Sequence, residues 1–318
     1  MDYRKSYFSK TEYNYRLGVF SENLREISEL RETYGDMFGV NEFADMTKEE
    51  KEKMFGLKPQ GHDGASDRDD KVKSKPYPRR KRELPDTRDW TNEAQWPVKN
   101  QGSCGSCWTF SAIGSITGNC GIHRNKWYDL AEQDLVDCAR KEVGYFECSG
   151  CGGGWMSWGI QYVIDKEGAV LTNNYPYKAT DGTCLNKPKT DRFCAPKDIV
   201  NLPPGSYEDL VQALDDGPVA VGVNASPWHS YQPSGDESVL PAASCPSQMS
   251  GINHGVVAVG WGTDVKSGKD YWLLKNSWGP RWGLSGYIKI ERSKDGNNDK
   301  NACGILQLNS VPVFTSFN

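Results

Sequence analysis

The sequence predicts an α+β protein of two lobes with a seam between them, preceded by a small helical and β segment. Three observations carry this. None of the ten cysteines precedes residue 104. The first 83 residues, with 18 Lys and Arg against 17 Asp and Glu, give way to 235 residues with 20 against 25, which sets a boundary near residue 83. Beyond it, apolar residues recur with helical spacing and then, in the later half, in short runs rich in Val, Ile, Trp and Tyr, set apart by Gly, Asp, Ser and Asn. Helices gathered ahead of antiparallel strands make two layers that meet along a cleft.

A chain of 318 residues with 37% hydrophobic content is long enough for a large core. No stretch approaches the apolar length of a membrane span. A net charge of −4, without basic residues interleaved with aromatics, argues against nucleic acid as a partner. Ten cysteines beside four histidines suggest disulfides formed in an oxidising compartment. Met1 to Lys10 lacks the apolar core of a signal peptide, which reads as a lost start rather than a protein that is never exported.

In the first part, Tyr13, Leu17, Phe20, Leu24 and Ile27 recur at spacings of four and three, predicting an amphipathic helix with one stripe to bury. Phe38, Val40 and Phe43 alternate with Gly39, Asn41 and Glu42 and predict a short strand. Thr47 with Glu50 three residues on predicts a capped second helix reaching Phe55. So small a unit is marginal alone and is expected to lean on the larger domain. Lys58 to Glu83 is rich in Gly, Asp, Lys, Pro and Arg and is read as a linker. Its run Arg79, Arg80, Lys81, Arg82 is either a solvated loop or a cleavage site.

From Leu84 onward, Trp108, Ala112, Ile113 and Ile116 predict a helix running from Cys107 toward Cys120. Asp129 is the expected cap of a second helix, Trp155 to Ile164 forms a third, and Ser206 caps a fourth that Gly217 and Pro218 stop. Val219 to Val223, Gly255 to Gly260, Tyr271 to Lys275 and Tyr287 to Ile290 are the predicted strands.

Gln101 to Phe110 reads Gln-Gly-Ser-Cys-Gly-Ser-Cys-Trp-Thr-Phe and puts Cys107 at a helix N-terminus, where unpaired N–H groups and the dipole favour a thiolate. Such a nucleophile needs a base, an orienting group and an oxyanion site. His62 lies in the linker, and His123 follows Cys107 too closely to fold back over it. His254, opening a strand of the late lobe, is the first candidate base and His229 the second, a core histidine being the plain alternative. Asn276, just after a strand, is placed to hold the imidazole tautomer, with Trp278 to shield that contact. The Gln101 amide and the Cys107 N–H suit an oxyanion. Cys104, Cys107, Cys148 and Cys151 also have the spacing of a four-thiolate zinc site, and Cys104 with Cys107 that of a redox pair. Cys107 runs straight into a helix, however, and the strand pattern of a redox fold is missing. No metal or other cofactor is expected.

Gln101 to Trp108, Asn253 to Gly255 and Asn276 to Gly279 together resemble, in order and spacing, the three active-site segments of papain-like cysteine proteases. The resemblance implies the papain-like two-lobe fold, with a helical left lobe over 84–195 and an antiparallel, barrel-like right lobe over 196–318. It implies Cys107 as nucleophile, His254 as general base and acid, Asn276 as orienter and Gln101 in the oxyanion hole of a peptide-bond hydrolase. Glu12, Arg16, Phe20, Asn23 and Ile27 resemble the interspersed helix motif of cathepsin L-like propeptides, with Arg31 where that family has Asn. Gly39, Asn41, Phe43 and Asp45 resemble its second motif. Residues 1–83 are thus expected to be an inhibitory propeptide that runs backwards through the cleft, with an incomplete first helix and a linker over 58–83. The enzyme would begin close to Lys81 to Leu84.

Gly153 and Gly154 match the stretch that pairs with substrate backbone. Trp155, Met156, Gly222, Val223, Gly255 and Leu308 match the pocket for the second residue before the scissile bond, and Asn253 and Trp278 flank the histidine. Leu308 offers no carboxylate at the pocket floor, so an apolar side chain is expected there and Arg disfavoured. No insertion after Cys184 caps the far end of the cleft, which favours an endopeptidase. The family's disulfides carry over as Cys104–Cys151, Cys138–Cys184 and Cys245–Cys303. Cys120, on the inward helix face, is predicted to be a free thiol, with a fourth bridge from Cys148 to Cys194. The expected partners are peptide and protein substrates, the chain's own propeptide and cystatin-type inhibitors, with the enzyme a monomer in an acidic lysosome-like or vacuole-like compartment or secreted. A silent binding or storage protein of the same fold is the alternative that intact Cys107, His254, Asn276 and Gln101 argue against.

Overall fold

The computed structural model describes residues 5–57, 74–78, 83–91, 97–293 and 301–314. The first segment carries α1 (Lys10–Tyr34) and α2 (Lys48–Glu52). After β1 (Arg88–Asp89) come α3 (Cys107–Arg124), α4 (Glu132–Cys138) and α5 (Met156–Asp165). A two-stranded ribbon of β2 (Ala169–Val170) and β3 (Arg192–Phe193) leads to β4 (Asp198–Asn201), α6 (Tyr207–Asp216) and β5 (Val219–Val223). The chain ends with β6 (Val239–Leu240), β7 (His254–Thr263), β8 (Asp270–Lys275), β9 (Tyr287–Glu291) and β10 (Leu308–Val313).

The main sheet runs β4-β10-β5-β7-β8-β9-β6, with β1 added to β7. Its pairs are antiparallel except β6 with β9, which run parallel, so the late lobe is a mixed sheet and not the wholly antiparallel one expected. The edge strand β4 and its neighbour β10 escaped the sequence reading, β10 because it contains Asn309, Ser310 and Pro312. Pro312 pairs with β4 just beyond the last residue of β10 that pairs with β5, so a missing N–H is tolerated there.

One apolar core fills the sheet lobe and a second lies among α3, α4 and α5. Fourteen of the eighteen residues of α3 are buried, because it is the wall that both lobes share. It presses on β7 closely enough that a Cβ at Gly114 would lie 2.7 Å from Val257, and Ser111 Oγ donates to Val256 O at 2.6 Å. Strand alternation divides β5 between the two cores: Val219, Val221 and Val223 enter the sheet core, while Ala220 faces the helices.

The N-terminal segment packs differently from its apolar periodicity. On α1 the residues Tyr13, Leu17 and Leu24 are exposed, and Asn23 and Ile27 are the buried ones. The inner face is polar because it must satisfy a loop. Asn23 Nδ2 donates to Ala44 O and Met46 O at 2.8 and 2.9 Å, and Arg16 forks onto Glu50. The expected strand at Phe38 to Phe43 is a single bridge from Phe38 to Tyr231 followed by a turn in which Asn41 Oδ1 accepts from Phe43 N at 3.0 Å. The Thr47–Glu50 capping box is present, though α2 stops at Glu52. Within the linker, Ser74 bridges Asn201 at the sheet edge and Tyr77 is buried with its N–H on Asp209 at 3.0 Å. The basic run Arg79 to Arg82, the proposed cleavage site and His62 lie outside the described residues. Asp129 does not cap α4, which starts after Ala131; its carboxylate pairs with Lys99 at 2.7 Å.

The bridges are Cys104–Cys151, Cys120–Cys194, Cys138–Cys184 and Cys245–Cys303, with Cys107 and Cys148 as buried free cysteines. The predicted Cys148–Cys194 bridge and free Cys120 are therefore reversed. Burial of Cys120 had suggested a free thiol, but Cys120 and Cys148 are both fully buried, so burial does not discriminate between them. What decides is that the late turns of α3 bring Cys120 within 5.7 Å, Cα to Cα, of Cys194. The Cys104–Cys151 bridge also removes two of the four thiolates a zinc site would need, and one of the two a Cys104–Cys107 redox pair would need.

Candidate active site

Cys107 is the first residue of α3, and the Cys104–Cys151 bridge pins the loop that leads into it. The preceding turn is closed by the Thr109 hydroxyl, which donates to Ser106 O at 2.8 Å. Across the seam, His254 opens β7 in register with Val223 of β5, and Asn276 follows β8 with its N–H on Gly286 O at 3.0 Å. The two side chains meet: His254 Nε2 lies 2.8 Å from Asn276 Oδ1. That oxygen also accepts from Ser277 N at 2.8 Å, so it is held as an acceptor and fixes the proton on His254 Nε2. Nδ1 is then the acceptor nitrogen, and it has no hydrogen-bond partner among the described residues. Trp278 lies over the imidazole with ring centroids 4.9 Å apart.

Gln101 is locked by two bonds to the segment after β8, its N–H to Ser277 O at 2.8 Å and its Oε1 accepting from Ser277 Oγ at 2.7 Å. This leaves Nε2 to donate to Cys104 O at 2.8 Å and to Met54 O, a carbonyl of the N-terminal segment, at 2.7 Å. The N-terminal segment crosses the cleft as backbone from Met54 to Leu57. Gly56 N donates to Cys107 Sγ at 3.2 Å, Gly154 N donates to Gly56 O at 2.9 Å, and Leu57 N donates to Asn253 O at 3.0 Å. Contact is so close that a Cβ on Gly56 would collide with Gly105 O, and one on Gly153, which has φ +112°, would lie 2.6 Å from Gly56 O. Phe55 packs on Trp278, His229 and His254, with centroids 6.3, 5.2 and 6.0 Å away. Leu57, two residues later, is 3% exposed in the helical-lobe core with Met156, Ile252 and Trp155, and Leu308 packs against that core.

Burial sets the protonation of this closed site. It pushes the Cys107 thiol up to about 11, against the opposing pull of backbone N–H groups from Gly255, Gly56, Trp108 and Leu57. It also pushes the His254 imidazole down to about 4, against the bond to Asn276. Both groups are therefore neutral between those values, and the thiolate that a helix N-terminus favours is suppressed while Met54 to Leu57 cover the site.

Most residues singled out from the sequence converge here. Gly222 and Gly255 face each other across β5 and β7; a Cβ on the first would lie 3.0 Å from Ile252 and 3.1 Å from Leu308, and one on the second 3.2 Å from Met156. Trp155 precedes α5, and its indole donates to Glu147 at 2.5 Å. Val223 does not belong to this wall. It is one residue out of phase with Gly222, so its side chain enters the sheet core. Ile252 takes the place it was given and went unnoticed because a lone Ile before Asn253 carries no motif. His229 is not within reach of the orienting amide, which His254 occupies, but stacks on Trp278. His123 stacks on Phe314.

Residues 84–313 match the family model described as papain family cysteine protease, and residues 1–50 match the cathepsin propeptide inhibitor domain. The chain is 36% identical over 331 residues to a cathepsin L-like peptidase of Aedes aegypti, covering 98% of this chain and 91% of that protein. It is 38% identical over 319 residues to cathepsin S of Mus musculus, covering 98% and 87%. Among solved structures, the digestive procathepsin L 3 of Tenebrio molitor larval midgut superposes with a TM-score of 0.80 at 33% identity, covering 98% of this chain and 95% of that one.

Proposed function

The chain belongs to the papain family of cysteine proteases, on its cathepsin L-like branch, and we propose that in this cysteine endopeptidase Cys107 is the nucleophile, His254 the base and acid, Asn276 the orienter and Gln101 an oxyanion donor. The N-terminal domain is of the cathepsin propeptide inhibitor type and makes the chain a zymogen. We further assign 1–83 to the prosegment and 84–318 to the peptidase, its mature start near Lys81 to Leu84. The observation that carries the assignment of roles is the 2.8 Å contact of His254 Nε2 with Asn276 Oδ1, which leaves Nδ1 free to take a proton.

With the prosegment gone, the Cys107 thiol gives its proton to His254 Nδ1. The thiolate then attacks the scissile carbonyl carbon, and the oxygen takes the negative charge beside Gln101 Nε2, where Met54 O now sits, and the Cys107 N–H. Collapse breaks the C–N bond as the imidazolium protonates the leaving amine, which leaves an acyl-enzyme. Water, deprotonated by the same imidazole, hydrolyses the thioester and returns the thiol.

The prosegment escapes this reaction because of its direction. A substrate has its second residue before the scissile bond in the apolar pocket and its next residues beside Trp278. The prosegment instead places Phe55 beside Trp278 and the later Leu57 in the pocket, so the chain runs reversed and its carbonyls do not align for attack.

Leu57 also supports an apolar preference, since Met156, Ile252 and Leu308 surround the space it fills without a charge. Peptides that differ only in Phe or Arg at the second position before the cleaved bond are expected to differ by roughly 100-fold in kcat/KM in favour of Phe, from burial of the ring and the unpaired guanidinium. Equal or faster cleavage of the Arg peptide would refute this. The open cleft suits extended peptide and protein substrates and the wedge of cystatin-type inhibitors. We assign the enzyme a monomeric state and an acidic lysosome-like or secreted setting, in keeping with its four disulfides.

A further inference from the structure

His229 is the buried histidine that the proposed reaction leaves unused. It is 4% exposed, sits in the turn Trp228–Ser230, and lies face to face on Trp278 with centroids 4.5 Å apart at 15°. Its Nε2 has no hydrogen-bond partner among the described residues. Three prosegment residues pack on it. Phe43 and Phe55 meet the ring edge-on at 5.7 and 5.2 Å, and Asn41 Nδ2 donates to His229 O at 2.6 Å. Departure of the prosegment therefore uncovers a ring with an unsatisfied nitrogen, next to the tryptophan that covers His254.

We propose that His229 is a specificity-determining residue on the leaving-group side of the cleft, and that in the processed enzyme its Nε2 selects a carboxylate side chain, Asp or Glu, in the residue just after the scissile bond. The inference rests on the reading of Cys107 as the attacking group, because that reading makes the Phe55 side of the cleft the leaving-group side.

The charges facing His229 give the selection a pH dependence. Burial first, then Lys51 of α2 and His254 of β7, hold its pKa well below the usual histidine value in the precursor. The burial imposed by Phe43 and Phe55, and the charge of Lys51, leave with the prosegment. Their loss moves the pKa of His229 back up toward the usual histidine range, although His254 stays beside it and opposes that rise, so the ring gains positive charge in acid. Attraction to a carboxylate is then present at acid pH and is lost as pH rises through the histidine pKa. Arg281, paired in the precursor with Glu42 of the prosegment at 2.7 Å, is a second cation that the prosegment's departure frees. Its guanidinium does not titrate in this range, so it adds a constant preference and no pH dependence.

The test uses enzyme processed from the full chain and internally quenched peptides that share an apolar second residue before the cleaved bond and carry Glu or Gln just after it. The ratio of kcat/KM for Glu over Gln is expected to be about tenfold higher at pH 5 than at pH 7.5, and His229→Gln is expected to remove that change with pH. A wild-type ratio that does not vary between these pH values overturns the inference, as does a variant whose ratio varies as the wild type does. The wild-type measurement stands by itself if the variant fails to fold. Cleavage of neither peptide removes the Cys107 reading and this inference with it, whereas cleavage without discrimination removes only the inference.

Discussion

Cys107→Ala is expected to lower kcat/KM by at least about 10⁴-fold, because it deletes the atom that bonds to the substrate and leaves only positioning and the oxyanion donors. The fold should survive. Cys107 sits in the helical-lobe core with Trp108 and Met156, and exchanging a thiol for a hydrogen there leaves a gap smaller than a methylene group or two, worth about 1 kcal/mol. The variant should therefore still bind its prosegment, whose backbone is held by Gly154 and Asn253 and not by the sulfur alone. Turnover of a quenched peptide by wild type and variant, beside a thermal melt, separates loss of chemistry from loss of structure. Comparable turnover by the two proteins would remove Cys107 from the mechanism and reopen the reading of this fold as a binding or storage protein.

Gly56→Ala is expected to break inhibition while leaving the enzyme intact. The added Cβ would overlap Gly105 O and lie 3.1 Å from Cys107 Sγ, and the backbone on both sides of the contact has no slack. Moving the prosegment away at Gly56 and Leu57 loses three of the hydrogen bonds that cross the cleft, from Gly56 to Cys107, Gly154 to Gly56 and Leu57 to Asn253. At about 1 kcal/mol each the loss is about 3 kcal/mol, or about 100-fold in the fraction of open precursor. Labelling of the unprocessed precursor by a thiol-reactive peptide analogue at pH 7 should accelerate by about that factor. An unchanged rate would mean that inhibition does not depend on close approach at Gly56, and that the anchoring of α1 through Arg16 and Glu50 carries it instead.

Acid should loosen the prosegment's own fold before it loosens the contact at Cys107. In the closed form Cys107 keeps its proton and His254, depressed to about 4, is neutral, whereas in the open form the same proton sits on the imidazolium; the pair binds one proton in either form, so its titration does not drive opening at mildly acid pH. Glu50, held down to about 2 chiefly by Arg16, stabilises the α1–α2 unit above about pH 4.5, and that contribution is lost as pH falls from there toward 2. Acid-driven release of the prosegment is therefore expected in that lower window, with unfolding of the α1–α2 unit.

The proposed catalytic centre was legible in the sequence because each of its members sits at the end of a regular element: Cys107 at the start of α3, His254 at the start of β7, Asn276 just past β8. Short local motifs mark such ends whatever the rest of the chain does. The subsite walls were harder to read. Gly222 and Val223 are adjacent and both small or apolar, and only the pleat of β5 shows which one faces the cleft. The helix face of α1 was misjudged by periodicity and yet marked by the resemblance, since half-buried Arg16 and buried Asn23 turn inward to satisfy carbonyls and not to hide oil. Three of the four bridges were expected correctly, and the fourth was mispaired for a third reason: cysteines at 120, 148 and 194 differ little in local pattern, and only the path of the chain after β3 brings one of them to α3.

Closure of the prosegment over Cys107 and His254, and the neutrality it imposes on both, is the claim on which inhibition and activation turn. It is tested most directly by the rate of alkylation of Cys107 by a small uncharged haloacetamide as a function of pH, measured on the precursor and on enzyme processed from it. The precursor is expected to react slowly throughout pH 6.5 to 8, with a rate that climbs only toward the thiol pKa of about 11. The processed enzyme should react fast from about pH 4 upward, with a plateau that reports a thiolate stabilised by the imidazolium. Coincident profiles before and after processing would contradict the account.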